Sequence, residues 1–203
     1  MQYRYVIVLF LALSLTACQP IQTVAPMPQH AATLQPATPL LTAEEKITNA
    51  MSAAPMMIAE GAAVIDWPID PTLGDAKELR AGSNGWVCRP DDPTSPTNDP
   101  RCLDANWLNV FGLDFGPERE AQTALGIAYM LQGDSVADND DPAALEPPTG
   151  QEWQIDPPHL MIASSHPWDP TLFSSDHHSG GPWLMFPGTP AEHLMVPVAE
   201  HSH

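Results

Sequence analysis

The first periodic pattern of apolar and polar residues begins at Thr42, in the segment TAEEKITNAMSAAP. Thr42 and Glu45 have the spacing of a capping box, in which the side chain of each residue accepts a hydrogen bond from the backbone N–H of the other at the start of a helix. Pro55 suits the first turn of a second short helix, PMMIAEGA. The pattern therefore predicts helices at the start of the folded part. One helix face is predicted to carry Ile47, Ala50, Met51 and Ala54.

Apolar runs typical of strands follow. AAVIDWP predicts a short strand, and GDAKELRAGSNGWVC predicts a strand, a turn at residues 82–85 and a return strand. LDANWLNVFGLDF predicts a helix, and ALGIAYMLQG predicts a central strand. HLMIASS, GPWLMFPG and EHLMVPVAE predict three more strands, the last two in a hairpin-like connection, whereas residues 138–158 predict a long surface excursion. This order favours an α+β fold, with N-terminal helices followed by a mainly antiparallel sheet and long Pro/Asp-rich loops.

A different pattern occupies the first residues of the chain. Arg4 precedes the apolar run YVIVLFLALSL, which has the length of a signal-peptide core and is too short to span a membrane as a helix. The run ends in Leu15-Thr16-Ala17-Cys18, which resembles the lipobox of bacterial lipoproteins. The resemblance implies cleavage after residue 17 and acylation of Cys18. Because Gln19 follows the cysteine, it also implies the periplasmic face of the outer membrane if the cell is Gram-negative.

The domain organisation follows from composition. Residues 1–17 are predicted to be the signal peptide, and residues 18–41 a Pro/Ala/Thr-rich tether that reaches at most about 70 Å in an extended, proline-type conformation. Residues 42–199 are predicted to form one α+β domain, and residues 200–203 a frayed end.

Charge narrows the possible partners. The chain has 203 residues with 25 acidic and 7 basic side chains, a formal net charge of −18, and no Lys or Arg follows Arg119. Nucleic acids and anionic head groups should repel such a surface. We therefore expect membrane attachment through acyl chains alone and no nucleic-acid partner. A protein partner in the envelope stays open.

Two cysteines remain if Cys18 is acylated. Cys88 and Cys102 flank RPDDPTSPTNDPR, a Pro/Asp/Thr-rich segment that will not fold by itself. In an oxidising compartment they are predicted to form a disulfide, which on the loop-entropy account stabilises the fold by roughly 3 kcal/mol. A metal pair or two free thiols are the alternatives.

The strongest candidate for a functional site is an H-x-M motif that occurs once in each of two predicted strands. Because side chains alternate across a strand, each histidine and its methionine share a face. Imidazole and thioether ligands suit Cu(I), so neighbouring strands would permit a metal site. The competing interpretation is structural, with methionines in the core. The residues are His159, Met161, His193 and Met195.

Two further candidates lie in predicted loops. A Zn²⁺ site would draw on imidazoles and one carboxylate: His166, Asp176, His177 and His178. A Ca²⁺ site would draw on clustered carboxylates, although the segment lacks the EF-hand glycine and closing glutamate: Asp134, Asp138, Asp140 and Asp141. Solvated loops are the simpler interpretation of both, so we expect no cofactor, with copper, zinc or calcium as the exceptions.

The sequence contains neither the G-x-S-x-G motif of serine hydrolases nor the H-E-x-x-H motif of zinc proteases. The segments LRAGSNGWVC, DPRCLD, GIAYMLQG and GGPWLMF resemble those of uncharacterised bacterial exported proteins, a resemblance that implies a folded domain and points to no particular activity. We therefore expect a lipid-anchored cell-envelope protein that acts as a binding or interaction module rather than an enzyme. The alternative is a metal-binding envelope protein, or a metal-dependent hydrolase, that uses the C-terminal His, Met and Asp residues.

Overall fold

The structure, a computed structural model, describes residues 41–69, 76–112 and 125–199. The predicted signal peptide, all of the predicted tether except Leu41, and the predicted frayed end therefore lie outside the described residues. The helices of the described part are α1 (Ala43–Met51), α2 (Met56–Ala59) and α3 (Ala105–Phe111), with a 3-10 turn at His177–Ser179. Its strands are β1 (Ala63–Ile65), β2 (Glu78–Arg80), β3 (Val87–Arg89), β4 (Arg101–Leu103), β5 (Gly126–Met130), β6 (Asp134–Val136), β7 (Gln154–Asp156), β8 (His159–Ala163), β9 (Trp183–Met185) and β10 (His193–Pro197).

One large sheet dominates the described residues. Its eight strands run in the order β2-β1-β3-β4-β5-β8-β10-β9, and β6 pairs with β7 in a separate two-stranded sheet. Neighbouring strands are antiparallel except for β1 and β3, which are parallel. The predicted antiparallel sheet, the central position of β5 and the antiparallel pairing of β9 with β10 are confirmed.

The fold is more sheet-rich than the predicted arrangement of N-terminal helices followed by strands. The helices are few and short. Among the described residues, only α1 and α2 precede the first strand, and α3 lies between strands, as the sequence predicts. Two local predictions are also wrong. Strands β2 and β3 do not pair with each other, because β1 lies between them. The predicted surface excursion contains β7, which pairs with β6.

The start of α1 forms as the sequence predicts. The Thr42 backbone N–H donates to the Glu45 carboxylate at 2.7 Å, and the Glu45 N–H donates to the Thr42 hydroxyl at 3.3 Å. One turn later, Lys46 Nζ forms a salt bridge with Asp66 at 2.8 Å, which connects α1 to the segment after β1. The helix is thus fixed at its first turn to the sheet.

The helices α1 and α3 pack on opposite faces of the large sheet. Cys102 lies beside Tyr129 across the β4–β5 pair, and Leu103 lies beside Ala128. Because successive strand residues point to opposite faces, these two pairs define two faces. One buried cluster joins α1 to the face of Cys102. The other joins α3 to the face of Leu103, which we call the α3 face.

The predicted disulfide is confirmed. Cys88 and Cys102 lie directly opposite each other in the β3–β4 pair and are bonded to each other, with both side chains completely buried. The bond closes the disulfide loop, residues 89–101, which contributes to the site described next. The loop is also tied to α1, because the Asn49 amide N–H donates to Asn98 Oδ1 at 2.7 Å.

Candidate functional site

A cleft of about 350 Å³ lies over the α3 face of the large sheet. Its floor is built by side chains from five adjacent strands, β4, β5, β8, β10 and β9, which present the same face in the observed registers. Three of these floor side chains are thioethers, which give the floor an apolar and polarisable surface. The floor residues are Arg101, Met130, Met161, His193 and Met185.

One wall of the cleft is the disulfide loop, which contributes Asp92, Thr94, Ser95 and Asp99. The loop is held by its own acidic side chains. The Asp92 N–H donates to Asp99 Oδ1 at 2.9 Å, and the Asp99 N–H donates to Asp91 Oδ1 at 2.9 Å. Asp99 is consequently almost fully buried. Carboxylates in this wall therefore have fixed positions.

A second wall is formed by β6, which pairs with β7 in the two-stranded sheet and contributes Asp134, Ser135 and Val136. A hydrogen bond between the Thr97 and Ser135 hydroxyl groups, 2.8 Å long, joins it to the disulfide loop. Asp134 of β6 lines the cleft and lies directly opposite Asp156 of β7 in the strand pairing. Gln154 Nε2 donates to both Asp156 oxygens, at 2.9 and 3.0 Å. The buried Oδ1 atom of Asp134 accepts no hydrogen bond from the described residues.

Burial shifts the acid–base behaviour of three of these carboxyl groups. It raises the pKa of Asp99 to about 7, with a smaller contribution from the negative charge of Asp134. It raises the pKa of Asp134 to about 6, although the nearby Arg101 guanidinium acts in the opposite direction. Burial, followed by the charge of Asp134, raises the pKa of Asp156 to about 7. Perturbed carboxyl groups that meet at a cleft are typical of functional sites.

The aromatic ring of Trp67 also lines the cleft and supports two guanidinium groups. The Arg89 group lies 3.8 Å from the ring centre and the Arg101 group 4.7 Å. The indole N–H of Trp67 donates to the Pro90 carbonyl oxygen at 2.8 Å, which fixes the ring. A second indole, that of the half-buried Trp153, lines the cleft without belonging to this stack.

Phe186 lines the cleft in an unusual backbone conformation. Its φ angle is 55°, the only positive φ of a residue other than glycine in the described ranges. A bulky side chain in this region is strained, and such strain persists where surrounding contacts enforce it. Here the Phe186 N–H donates to the Asn139 carbonyl oxygen at 2.7 Å. The conformation holds the ring at the cleft, where strained residues are often functional.

The strands of the two H-x-M motifs are neighbours, as the metal hypothesis requires. All four side chains share the α3 face, and Met161 lies directly opposite Met195. The histidines, however, lie at opposite ends of the pair, because His159 faces Pro197 and His193 faces Ala163. Four strand positions separate them, roughly 13 Å along the strands. The pairing brings the two thioethers together but not the two imidazoles.

Each histidine of these motifs makes the same local contact. Nδ1 of His159 donates to the Pro157 carbonyl oxygen at 2.7 Å, and Nδ1 of His193 donates to the Ala191 carbonyl oxygen at 2.8 Å. Burial lowers the pKa of His159. The ring of His193 is surrounded at 5.5–6.2 Å by three aromatic rings, those of Trp107, Phe111 and Phe186.

The loop candidates for metal binding have local structural roles. Asp176 caps the 3-10 turn by accepting from the His178 N–H at 2.9 Å, and the His177 and His178 rings lie 3.8 Å apart. His166 lies exposed before Trp168. Asp138 accepts from the Asp140 N–H at 2.9 Å. Within the described ranges, no group of three or more His, Cys, Asp or Glu side chains is arranged to hold a metal ion.

Sequence reasoning missed most of the cleft. The sequence indicated Asp134 only as one ligand of a Ca²⁺ site in a loop, whereas this residue belongs to β6. Asp99 belongs to the Pro/Asp/Thr-rich segment between the two cysteines, and Asp156 belongs to the predicted surface excursion. The alternation in Gln154-Ile155-Asp156 could have indicated a strand, but it would have predicted the opposite burial, because Ile155 is exposed and Asp156 is buried.

Comparisons of the chain with protein-family models, curated proteins and solved structures find no match. In the described ranges, no helix combines the length and apolar character needed to cross a membrane.

Proposed function

We propose that this protein is a lipid-anchored cell-envelope binding protein whose ligand site is the cleft over the α3 face. The observation that carries the proposal is the cleft itself, which places indole, thioether and carboxyl groups around about 350 Å³. Small-molecule sites are typically concave and mostly apolar, with a few convergent polar groups, and have volumes of roughly 300–1,000 Å³. The cleft fits this description.

The construction of the walls supports binding. Hydrogen bonds fix the disulfide loop internally, to α1 and to β6 before any ligand arrives. A site held in this way loses little conformational entropy when it binds, which favours affinity. The strained backbone of Phe186 supports the same interpretation, because the surrounding fold maintains an unfavourable conformation at the cleft.

The location is proposed from the sequence. The Leu15-Thr16-Ala17-Cys18 motif supports acylation at Cys18, and the proline-rich residues 18–41 support a tether that holds the domain away from the membrane surface. In a Gram-negative cell, the proposed location is the periplasmic face of the outer membrane.

The binding function can be tested with three probes of similar size and different charge, 2-phenylethylamine, 2-phenylethanol and 3-phenylpropanoate. Saturation-transfer NMR on residues 18–203 should detect at least one of them. Trp153→Ala should weaken its binding, because this indole lines the cleft, whereas Trp168→Ala should not, because this indole packs on Phe173 elsewhere. Absence of binding by all three probes, or equal loss in both variants, would contradict the proposal.

Metal binding is the second candidate function. The direct opposition of Met161 and Met195, with Met161 and His193 both lining the cleft, favours Cu(I) over the harder cations. Elemental analysis of protein purified without a polyhistidine tag tests it, since only this candidate requires stoichiometric copper or zinc.

A further inference from the structure

We propose that the ligand of the cleft is an organic cation, with an ammonium or amidinium group on an aromatic or aliphatic body. This inference rests on the proposed binding function and specifies its ligand class. Three features of the cleft carry the inference. They are a cluster of carboxyl groups, a floor of thioether and aromatic side chains, and a buried carboxylate oxygen that accepts no hydrogen bond from the described residues.

Charge at the cleft favours a cation. Among the described residues that line it, three carboxyl groups face one guanidinium group, those of Asp92, Asp99, Asp134 and Arg101. Above pH of about 7, where Asp99 and Asp134 are ionised, a ligand anion would meet more negative than positive charge at close range. A ligand cation would compensate the excess, and in a partly desolvated site such an interaction is stronger than in water.

The unsatisfied Oδ1 atom of Asp134 identifies where the cationic group would lie. This atom is buried and accepts no hydrogen bond from the described residues. A buried acceptor without a donor costs free energy, and an N–H group of a ligand would remove that cost. Ammonium and amidinium groups offer several N–H donors with positive charge, so they match a carboxylate better than a neutral hydroxyl does.

The apolar part of the lining favours an organic cation over a hydrated metal ion. Met130, Met161 and Phe186 offer dispersion contacts that only a carbon skeleton can use. The ring of Trp67 is already occupied by two guanidinium groups, so it is not the ring that a ligand cation would contact. Trp153 provides a further ring that a ligand cation or an aromatic body can contact.

The charge of the whole chain acts in the same direction. A formal net charge of −18 attracts cations over distances beyond the cleft, and carboxylates at the site concentrate that field locally. Association of a cationic ligand should therefore be faster at low ionic strength, and that of an anion slower.

The experiment measures dissociation constants of 2-phenylethylamine, 2-phenylethanol and 3-phenylpropanoate by calorimetry or NMR titration at pH 8. The amine should bind about tenfold more tightly than the alcohol, as expected for a hydrogen bond to a charged group. Asp134→Asn should weaken amine binding about tenfold and leave the alcohol unaffected, because it removes charge and keeps shape. Glu60→Gln makes the same charge change at an exposed position outside the cleft and should alter neither constant.

The outcomes separate the two proposals. Equal or tighter binding of the alcohol or the carboxylate, or an unchanged amine constant in Asp134→Asn, overturns the cation inference and leaves the binding function standing. Absence of binding by every probe overturns both. If circular dichroism shows that Asp134→Asn does not fold, Asp92→Asn replaces it, because an asparagine oxygen can still accept the hydrogen bonds from Thr94. Amine binding should then weaken measurably, and an unchanged constant again overturns the inference.

Discussion

Asp134 and Asp156 lie directly opposite each other across the β6–β7 pair, so a half-buried and a buried carboxyl group share one small region beside the cleft. Like charges directly opposite each other destabilise a strand pair. The fold therefore favours protonation of this pair, which agrees with the raised pKa values of both groups.

The first prediction concerns pH. The native pKa values of Asp99, Asp134 and Asp156 lie at about 7, 6 and 7, whereas the ordinary value is 3.8. Between pH of about 4 and 7 the native state therefore holds protons that the unfolded chain has released. The stabilising contribution of these groups is full below pH of about 4 and is lost as pH rises through 6–7.

Asp156→Asn removes one of these groups, so urea denaturation should show a shallower loss of stability with pH than in the natural protein. The free energy of unfolding of the variant minus that of the natural protein should be about 1–3 kcal/mol larger at pH 8 than at pH 4. Buried His159, whose pKa is lowered, acts in the opposite direction below pH 6.5 but is present in both proteins. Identical pH profiles of the two proteins would contradict this prediction, and Glu60→Gln serves as the control for net charge.

The second prediction concerns the bond between Cys88 and Cys102. Replacing both residues by alanine should lower the free energy of unfolding by about 3 kcal/mol, because the unfolded chain then regains the freedom of the 89–101 loop. Urea denaturation measures the change. Intact mass spectrometry after alkylation without reduction should find both thiols unmodified in the natural protein, and modification of both would show that the bond is missing.

The third prediction concerns the contact between β5 and α3. A Cβ atom at Gly126 would lie 2.5 Å from the Cα and backbone N of Trp107, so Gly126→Ala must displace the helix. We expect the variant to lose about 1–3 kcal/mol, the usual cost of overpacking. Gly181→Ala is the matched control, since no atom lies within 4 Å of its added Cβ. Equal melting temperatures of the two variants would refute the proposed close approach.

The fourth prediction concerns the proposed anchor. Radiolabelled palmitate should enter the protein at Cys18, because Leu15-Thr16-Ala17-Cys18 has the lipobox pattern. Cys18→Ser should abolish labelling and release the protein from the membrane fraction. Label that persists in this variant would exclude acylation at Cys18.

Local signals made much of the secondary structure predictable. The capping box between Thr42 and Glu45 depends on residues three positions apart, and the apolar runs of β5, β8 and β10 depend on burial within one strand. Strand order is not local. The insertion of β1 between β2 and β3 arises from a parallel pairing of Ala63 with Val87, which no turn between adjacent strands specifies.

The candidate site was harder to predict for the same reason. Asp99, Asp134 and Asp156 lie in segments whose composition is typical of exposed loops. Only tertiary contacts bury Asp99, Asp156 and the Oδ1 atom of Asp134. The shared face of each histidine with the methionine of its own motif was predictable, because strand alternation fixes it within one strand. The separation of His159 from His193 depended on the antiparallel register, which the repeated motif could not specify.

The position of the disulfide has a consequence for when the site exists. The bond closes the loop that brings Asp92 and Asp99 to the cleft, while the floor belongs to the sheet. In a reducing compartment the sheet could still assemble, but one wall of the cleft would lack its covalent restraint. Covalent closure of that wall would then follow oxidation, so a newly made chain would complete the proposed binding cleft on reaching an oxidising environment.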